Sequence, residues 1–315
     1  MRRRQRPATT PRRPATAVEQ AVLPLPLVAN APAKVNLTLR VLSRRADGYH
    51  ELDSLVVFAD RGDRLTFTPG GALALTLSGA TAAQAGEGAD NLVFKAARAL
   101  TERIPGIALG AFHLEKNLPV AAGLGGGSAD AAAALRLLAQ ANKLALDDAR
   151  LYEAARATGA DVPVCLDPRP RLMRGIGERL SAPLALPQLP AVLINPGVAV
   201  ATKLVFAGWK TSGKPATPLD LAAAANLASR DRLLGILREQ PNDLEAPAIA
   251  IAPAIADVLT ALRGSVGCEL ARMSGSGATC FGLYTSAAEA EAAAKILRGK
   301  FPDWWAQACT LGSGI

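Results

Sequence analysis

Short runs of alternating apolar and polar residues dominate the first half of the chain. Val35, Leu37 and Leu39 are separated by polar residues, which predicts a half-buried strand because side chains alternate between the two faces of a strand. The same alternation predicts strands over residues 54–58, 64–68, 73–77 and 111–115, with a turn at 60–63. Apolar residues at helical spacing predict helices over 91–103, 129–142 and 147–157, the last capped by Asp147 and ended by Gly159.

A proline-rich section at residues 168–190 precedes the second half of the chain. Beyond it, the pattern predicts strands over 192–195, 270–274 and 280–284 and helices over 219–239, 253–263 and 286–299. Groups of strands followed by helices are typical of an α+β protein. We therefore predict an α+β fold in three parts: a disordered Arg/Pro-rich extension at 1–29, an N-terminal domain at 30–185 and a C-terminal domain at 186–315.

Positive charge is concentrated at the N-terminus. The chain carries a formal net charge of +8, and its first thirty residues hold six arginines against Glu19, which leaves only +3 for the other 285 residues. Pro24 and Pro26 interrupt the apolar part of this extension, which disfavours a secretory signal peptide. The small surplus elsewhere suits an anionic small-molecule substrate better than a nucleic acid.

Cysteine and histidine usage does not favour a metal site or disulfides. The four cysteines form no C-x-x-C pair, and the chain has two histidines. We interpret the cysteines as reduced thiols of a cytoplasmic protein. No apolar run reaches the roughly 18 residues of a membrane span, so a membrane partner is not expected.

The glycine-rich loop at residues 117–129 has the most informative composition in the chain. Four glycines fall within five positions, and Ser128 and an alanine-rich helical run follow at once. Because glycine allows close backbone approach and a helix start offers unpaired N–H groups, this combination predicts a phosphate cradle. The loop matches neither the lysine-containing P-loop nor the dinucleotide-binding glycine motif. The alternative is a flexible linker.

Two polar clusters near the N-terminus have both a functional and an ordinary interpretation. Lys34 and Asn36 lie two residues apart and therefore share a face of the predicted strand, where they form either a site or a solvated edge. In the segment 44–51, Tyr49 precedes His50 in a chain with only 4% aromatic residues. A stacking face beside a hydrogen-bonding ring suits a nucleobase, although a polar hairpin loop is the alternative.

Two later motifs complete the set of candidates. In the segment 159–163, Pro163 is expected to hold Val162 extended and Asp161 on a rigid bend. There Asp161 can accept a proton from a hydroxyl group, or simply cap a turn. The motif Met-Ser-Gly-Ser-Gly at 273–277 lies between two predicted strands and by itself favours a hairpin turn.

These motifs together resemble the GHMP-type small-molecule kinases over about residues 30–311. Segments 33–36, 44–51, 118–129 and 159–163 match in order, and 273–277 matches the third glycine motif of the superfamily. The glycine motifs are common to the superfamily, whereas 44–51 points to a member that phosphorylates an alcohol bearing a cytidine diphosphate. The resemblance implies a two-domain GHMP kinase fold, with an N-terminal half like the second domain of ribosomal protein S5 and a ferredoxin-like C-terminal half.

The resemblance also implies a catalytic pair and an ATP site. Lys34 matches the residue that stabilises charge on the transferred phosphoryl group, and Asp161 matches the general base. The loop residues implied to bind ATP are Pro119, Val120, Ala121, Ala122, Gly123, Leu124, Gly125, Gly126, Gly127, Ser128 and Ala129. Mg²⁺ is expected to accompany ATP, with Ser128 as the one ligand candidate in the loop.

Substrate contacts are implied for Asn36, Tyr49, His50 and Phe206. In this interpretation His50 reads the cytosine edge, while Tyr49 and Phe206 enclose the base. The chain departs from the family at Val56, where an aromatic wall of the substrate pocket is frequent. The alternatives are another GHMP kinase, of the homoserine or mevalonate type, and a non-catalytic RNA-binding module with an S5-like fold.

Overall fold

The computed structural model describes residues 25–86, 88–210, 217–219 and 227–312. The strands there are β1 (Leu27–Asn36), β2 (Arg40–Arg44), β3 (His50–Pro69), β4 (Ala74–Ser78), β5 (Gly110–Glu115), β6 (Arg171–Gly175), β7 (Arg179–Leu180), β8 (Leu189–Asn195), β9 (Cys268–Met273), β10 (Cys280–Tyr284) and β11 (Trp305–Gly312). The helices are α1 (Leu92–Arg103), α2 (Gly126–Ala141), α3 (Ala149–Thr158), α4 (Val162–Leu166), α5 (Thr202–Gly208), α6 (Arg230–Glu239), α7 (Glu245–Ile251), α8 (Ala254–Arg263) and α9 (Ala287–Lys300).

These strands form one mixed sheet in which β3 is the central element. Strands β1, β2, β5, β6 and β11 all pair with β3 in antiparallel fashion. From β11 the sheet continues through β8 and β10 to β9. Strand β11, the last described strand, pairs with β3 and β8 and so joins the strands of the first half to those of the second. None of the helices in the described ranges is long and apolar enough to cross a bilayer.

The predicted turn at 60–63 is wrong, because β3 runs through it without a break. Its partner β1 absorbs the irregularity as a register shift between Pro32 and Lys34. Gly62 lies so close to the backbone of Ala31 and Pro32 that a Cβ there would overlap them. The polar sequence Asp60-Arg-Gly-Asp63 therefore lies inside β3, opposite the irregularity in β1, and does not form a hairpin turn.

Helices α1 to α4 contribute to one hydrophobic core with the sheet of the first half. Helix α1 begins as predicted, with the Asn91 side chain accepting a hydrogen bond from the Val93 N–H at 2.9 Å. Helix α3 is capped by Asp148, which accepts from Arg150 N at 2.9 Å, so the predicted cap at Asp147 is wrong. Helix α2 starts within the glycine loop itself, earlier than the predicted residue 129.

The structure changes three further expectations. The section 168–190 is part of the sheet through β6 and β7 and does not merely link two halves. Strand β1 begins at Leu27, so the end of the proposed extension 1–29 is wrong, and residues 1–24 lie outside the described part. The predicted helix 219–239 is wrong at its start, because residues 219 and 227–229 are not helical; it corresponds to α6 from Arg230 onward, and 220–226 lie outside the described part. The division at 185/186 stays a prediction.

Candidate active site

A cavity of about 1540 Å³ is lined by residues from both halves of the chain. One side is formed by the glycine loop, and the Lys34 and Asp161 side chains lie on its wall. Tyr49, His50 and Phe206 line it as well, together with Gly275 of the third glycine motif. Segments that are distant in sequence, and that the sequence analysis singled out separately, therefore surround one space.

Lys34 and Asp161 form an ion pair on the wall of this cavity. The Lys34 Nζ lies 2.9 Å from Asp161 Oδ2, and it donates a second hydrogen bond to Asn36 Oδ1 at 3.1 Å. The Lys34 side chain is 4% exposed whereas that of Asp161 is 35% exposed. The buried ammonium group is thus fixed by Asn36 and Asp161, whereas the Asp161 carboxylate remains accessible to a molecule in the cavity.

Asn36 is held by hydrogen bonds on both its backbone and its side chain. Its Nδ2 donates to Ser54 Oγ at 2.8 Å, and its backbone N–H donates to Ser274 Oγ at 3.1 Å. Ser274 in turn donates to the carbonyl of Gly123 at 3.0 Å. The predicted shared face of Lys34 and Asn36 is confirmed, and both residues are nearly inaccessible to solvent. Asn36 therefore orients the lysine and fixes the strand against the third glycine motif.

The glycine loop ends in the first turn of α2, which begins at the cavity. Gly125 is the N-cap of α2 and has a φ of +61°. As at every helix start, the first N–H groups of α2 have no partner within the helix. A Cβ on Gly123 would lie 2.5 Å from the carbonyl oxygen of Ser274, and one on Gly125 would lie 3.2 Å from Cε of Lys34. Unpaired N–H groups, the positive end of the helix dipole and close backbone approach together suit a phosphate group.

Not every residue implied by the family pattern faces the cavity. Leu124 and Ala129 are each 1% exposed and pack in the hydrophobic cores, while the other nine loop residues line the cavity. The Leu124 carbonyl accepts a hydrogen bond from Lys34 N at 2.8 Å, which ties the loop to β1. Val56 is fully buried in the core and does not line the cavity, so it forms no wall of the substrate pocket.

Asp161 occupies the corner between α3 and α4. Gly159 is the C-cap of α3, and Asp161 is the N-cap residue of α4 with a helical backbone conformation. The expectation that Pro163 holds Val162 extended is wrong, because Pro163 lies in the first turn of α4, where its missing N–H costs nothing. The corner nevertheless fixes the carboxylate, since Val162 and Pro163 are both buried directly behind it.

Aromatic rings cluster at the other end of the cavity. The rings of His50 and Phe206 stack with centroids 5.0 Å apart, and Trp209 meets His50 edge-on at 5.6 Å. Burial lowers the pKa of His50, and the nearby charge of Arg44 lowers it further, so the ring is neutral at neutral pH. Tyr49 is 60% exposed at the rim. Trp209 was not among the residues predicted from sequence, where only the scarcity of aromatics gave a signal for it.

Beneath the glycine loop lies a buried ionic cluster that the sequence analysis also missed. Lys116 donates hydrogen bonds to Asp63 and to Asp130, the latter at 2.8 Å. The other carboxylate oxygen of Asp63 accepts hydrogen bonds from the backbone N–H groups of Asn117 and Leu118, at 2.6 Å and 2.8 Å. Burial raises the pKa of Asp130, whose second oxygen has no hydrogen-bond partner among the described residues. The cluster joins β3, the start of the loop and α2.

Comparisons with known proteins agree with this geometry. The family model described as GHMP kinases N terminal domain matches residues 91–167, and the GHMP kinases C terminal model matches residues 221–303. A solved structure titled 4-(cytidine 5'-diphospho)-2C-methyl-D-erythritol kinase has a TM-score of 0.74 and 37% identity, covering 91% of this chain and all of that one. A homoserine kinase from Cytophaga hutchinsonii, at 21% identity and a TM-score of 0.67, shares the fold.

Curated relatives are more similar in sequence. A protein from Bradyrhizobium diazoefficiens is 55% identical over 91% of this chain and 99% of its own length. One from Methylobacterium radiotolerans is 57% identical over 89% of this chain and 97% of its own length. Both are named 4-diphosphocytidyl-2-C-methyl-D-erythritol kinase.

The fold and the family matches are those of a two-domain GHMP kinase, an ATP-dependent enzyme that phosphorylates a small molecule. Within that superfamily, the chain belongs to the 4-diphosphocytidyl-2-C-methyl-D-erythritol kinase family. The predicted fold class and the predicted kinase activity are confirmed. The alternatives of a homoserine or mevalonate kinase and of a non-catalytic RNA-binding module are not favoured.

Proposed function

We propose that this chain transfers the γ-phosphoryl group of ATP to the 2-hydroxyl of 4-diphosphocytidyl-2-C-methyl-D-erythritol, in the non-mevalonate route to isoprenoid precursors. The observation that carries the proposal is the position of the Lys34–Asp161 pair in a cavity with a phosphate cradle and an aromatic pocket. An alcohol bearing a cytidine diphosphate has the two features this cavity serves, a base to stack and a hydroxyl to phosphorylate. The names of the relatives support the same substrate.

We assign separate tasks to the two charged residues, and the difference in their exposure supports this assignment. Asp161, exposed to the cavity, accepts the proton of the attacking hydroxyl as the new O–P bond forms and the bond between the β- and γ-phosphates of ATP breaks. Lys34 lies beside it and offsets the negative charge on the phosphoryl group during transfer. Because the transition state of phosphoryl transfer is loose, most of the catalytic effect comes from positioning and charge stabilisation. ADP and the phosphorylated alcohol are the products.

The described residues fit a magnesium ion that is held mainly by the nucleotide. They contain no group of three or more His, Cys, Asp or Glu side chains that could hold a metal by themselves. Mg²⁺ usually keeps several waters and binds phosphates with one or two protein ligands, so such a group is not required. The Ser128 hydroxyl, in the first turn of α2 and on the cavity wall, is the residue that would bind the ion. When bound, the ion would neutralise phosphate charge.

Cytosine recognition is the part of the proposal that separates this enzyme from other GHMP kinases. A neutral His50 has one N–H donor and one ring nitrogen acceptor, which can read the edge of a base. Phe206 and Trp209 hold the ring from two sides, so its orientation is fixed before the substrate binds. Tyr49 at the rim can cover the base. His50 therefore contributes specificity, while Asp161 contributes chemistry.

The test compares a cytidine-bearing alcohol with its uridine analogue in the wild type and in His50→Ala. A buried hydrogen bond left unpaired costs about 1–3 kcal/mol, which corresponds to a rise in KM of roughly five- to hundredfold for the cytidine substrate. Preference over uridine should weaken in the same variant. His113→Ala is the control, because His113 is exposed and its ring bonds to Thr76 and Ser78, neither of which lines the cavity. Equal preferences in wild type and His50→Ala would contradict the assignment.

A further inference from the structure

The segment Asn242–Glu245 holds the third glycine motif through two polar side chains, those of Asn242 and Glu245. Asn242 is 5% exposed, and its Nδ2 donates to the carbonyls of Met273 and Gly275, both at 2.8 Å. Its Oδ1 accepts from the backbone N–H of Leu244 at 2.9 Å. Glu245 Oε2 accepts from Met273 N at 3.0 Å. The backbone of the glycine motif is therefore fixed on both its donor and its acceptor groups by one short segment.

The same segment also binds the chain just after the strand that carries Lys34. Leu39, which follows β1, forms a parallel bridge with Asn242 and accepts a hydrogen bond from Asp243 N at 2.8 Å. Asp243 Oδ2 accepts from Arg40 Nε at 3.1 Å and from Val41 N at 2.8 Å. The segment thus forms hydrogen bonds both to the chain just after Lys34 and Asn36 and to the third glycine motif.

The third glycine motif in turn contacts the phosphate cradle. Ser274 bonds to the Gly123 carbonyl, and the N–H of Thr279 donates to the carbonyl of Ala122 at 3.0 Å. Gly275 has φ of +58° and so little room that a Cβ would lie 3.1 Å from the Gly123 carbonyl oxygen and 3.4 Å from Oδ1 of Asn36. Any shift of the motif is consequently passed to the ATP loop and to Asn36.

We propose that Asn242 is a positioning residue for ATP, which sets the alignment of the third glycine motif against the phosphate loop and Lys34. Asn242 does not line the cavity itself and therefore acts through Met273 and Gly275. The inference rests on the ATP-dependent part of the proposed function and does not depend on which alcohol is phosphorylated. Its effect should accordingly fall on the nucleotide and on turnover, and not on the binding of the cytidine group.

The decisive variant is Asn242→Asp, which keeps the shape but replaces two donated hydrogen bonds by an acceptor facing two carbonyl oxygens. An ionised carboxylate there repels both carbonyls, whereas a protonated one restores a single donated bond. We expect the Kd of a non-hydrolysable ATP analogue to rise at least about tenfold at pH 8 and to recover partly as the pH falls towards 5. Turnover should fall as well, while the Kd of a cytidine diphosphate ligand changes less than about twofold.

The matched control is Asn142→Asp, at the far end of α2 from the cavity. Asn142 Nδ2 also donates to two carbonyls, those of Ala108 and Leu138 at 3.0 Å and 2.8 Å, and its Oδ1 accepts from Ala108 N. This variant should lower the melting temperature without changing the Kd of the ATP analogue. An Asn242→Asp protein that loses stability to the same extent, with unchanged ATP affinity and no pH effect on it, would overturn the proposal.

A second variant, Glu245→Ala, keeps the test valid if Asn242→Asp does not fold. It removes the acceptor of Met273 N at the edge of the cluster and leaves Asn242 in place. We expect a rise of about threefold in the Kd of the ATP analogue with unchanged affinity for a cytidine diphosphate. An unchanged ATP affinity would contradict the positioning role. A protein that binds ATP as expected yet phosphorylates no cytidine-bearing alcohol would instead contradict the proposed substrate.

Discussion

Asp161 is the residue whose replacement should separate chemistry from binding. Asp161→Asn keeps the side-chain shape and its place beside Lys34 but removes the proton acceptor, so turnover should fall by roughly a hundredfold or more. ATP affinity should stay close to that of the wild type, because the nucleotide is held by the loop. Steady-state kinetics and calorimetry measure the two quantities. Asp147→Asn, an exposed change outside the cavity, is the control, and near-normal turnover of Asp161→Asn would remove Asp161 from the mechanism.

Asp130 should make the stability of the protein depend on pH. Burial raises its pKa in the folded state, so folding favours the protonated carboxyl. A raised pKa contributes stability below the pKa of the unfolded chain, near 4, and this contribution is lost as the pH rises through the folded value. We expect the contribution of Asp130, measured as the free energy of unfolding of the wild type minus that of Asp130→Asn, to decline from about pH 4 upward to neutrality. Parallel curves for the two proteins would contradict this assignment.

At the residue scale, local motifs indicated the polar groups on the cavity wall but not their supports. Lys34 and Asn36 were recognisable because strand alternation places them on one face, and the structure joins them by a hydrogen bond. Lys116 and Asp63 are 53 positions apart, and no local pattern reports such a contact. Trp209 and Asn242 were missed for the same reason, since each acts through residues far away in the sequence.

The start of α2 is the element on which ATP binding depends most directly. Gly125 has φ of +61°, and a Cβ there would lie 3.2 Å from Cε of Lys34. Gly125→Ala should therefore strain the backbone and displace the lysine, which weakens binding of the ATP analogue about tenfold while the protein stays folded. Gly235→Ala in α6 is the control, because nothing lies within 4 Å of its added Cβ. Normal ATP affinity in Gly125→Ala would place the phosphate cradle elsewhere.

The types of most elements could be predicted from hydrophobic periodicity, whereas several boundaries depended on tertiary contacts. Helices α1, α8 and α9 agree closely with the predicted segments, since apolar spacing is a local signal, to which the polar N-caps Asn91 and Ser286 add at α1 and α9. The continuity of β3 could not be predicted, because only its pairing with β1 shows that Gly62 is inside a sheet. The choice of Asp148 over Asp147 as a cap likewise depends on which side chain reaches a free N–H.

At the scale of the whole molecule, the sheet is continuous across the two halves of the chain. Strand β11 pairs with β3 of the first half and with β8 of the second, so the last described strand closes the connection. The cavity draws residues from both halves of the chain, among them Lys34 and Phe206. Correct placement of the ATP and substrate sites therefore requires both halves to fold together. Sequence periodicity predicted strands and helices in each half but could not show that β11 pairs with strands of both.

Leu311 offers a test of that coupling. It is fully buried and lies opposite Ala59 of β3 and Leu189 of β8, so it packs where the two halves meet. Leu311→Ala should lower the free energy of unfolding by about 2–5 kcal/mol, through lost burial and the cavity that remains. Leu146→Ala, at a residue 56% exposed, should have little effect. Calorimetry should show a single unfolding transition in both variants, at a lower temperature for Leu311→Ala. Two separate transitions would mean that the halves unfold independently despite the shared strand.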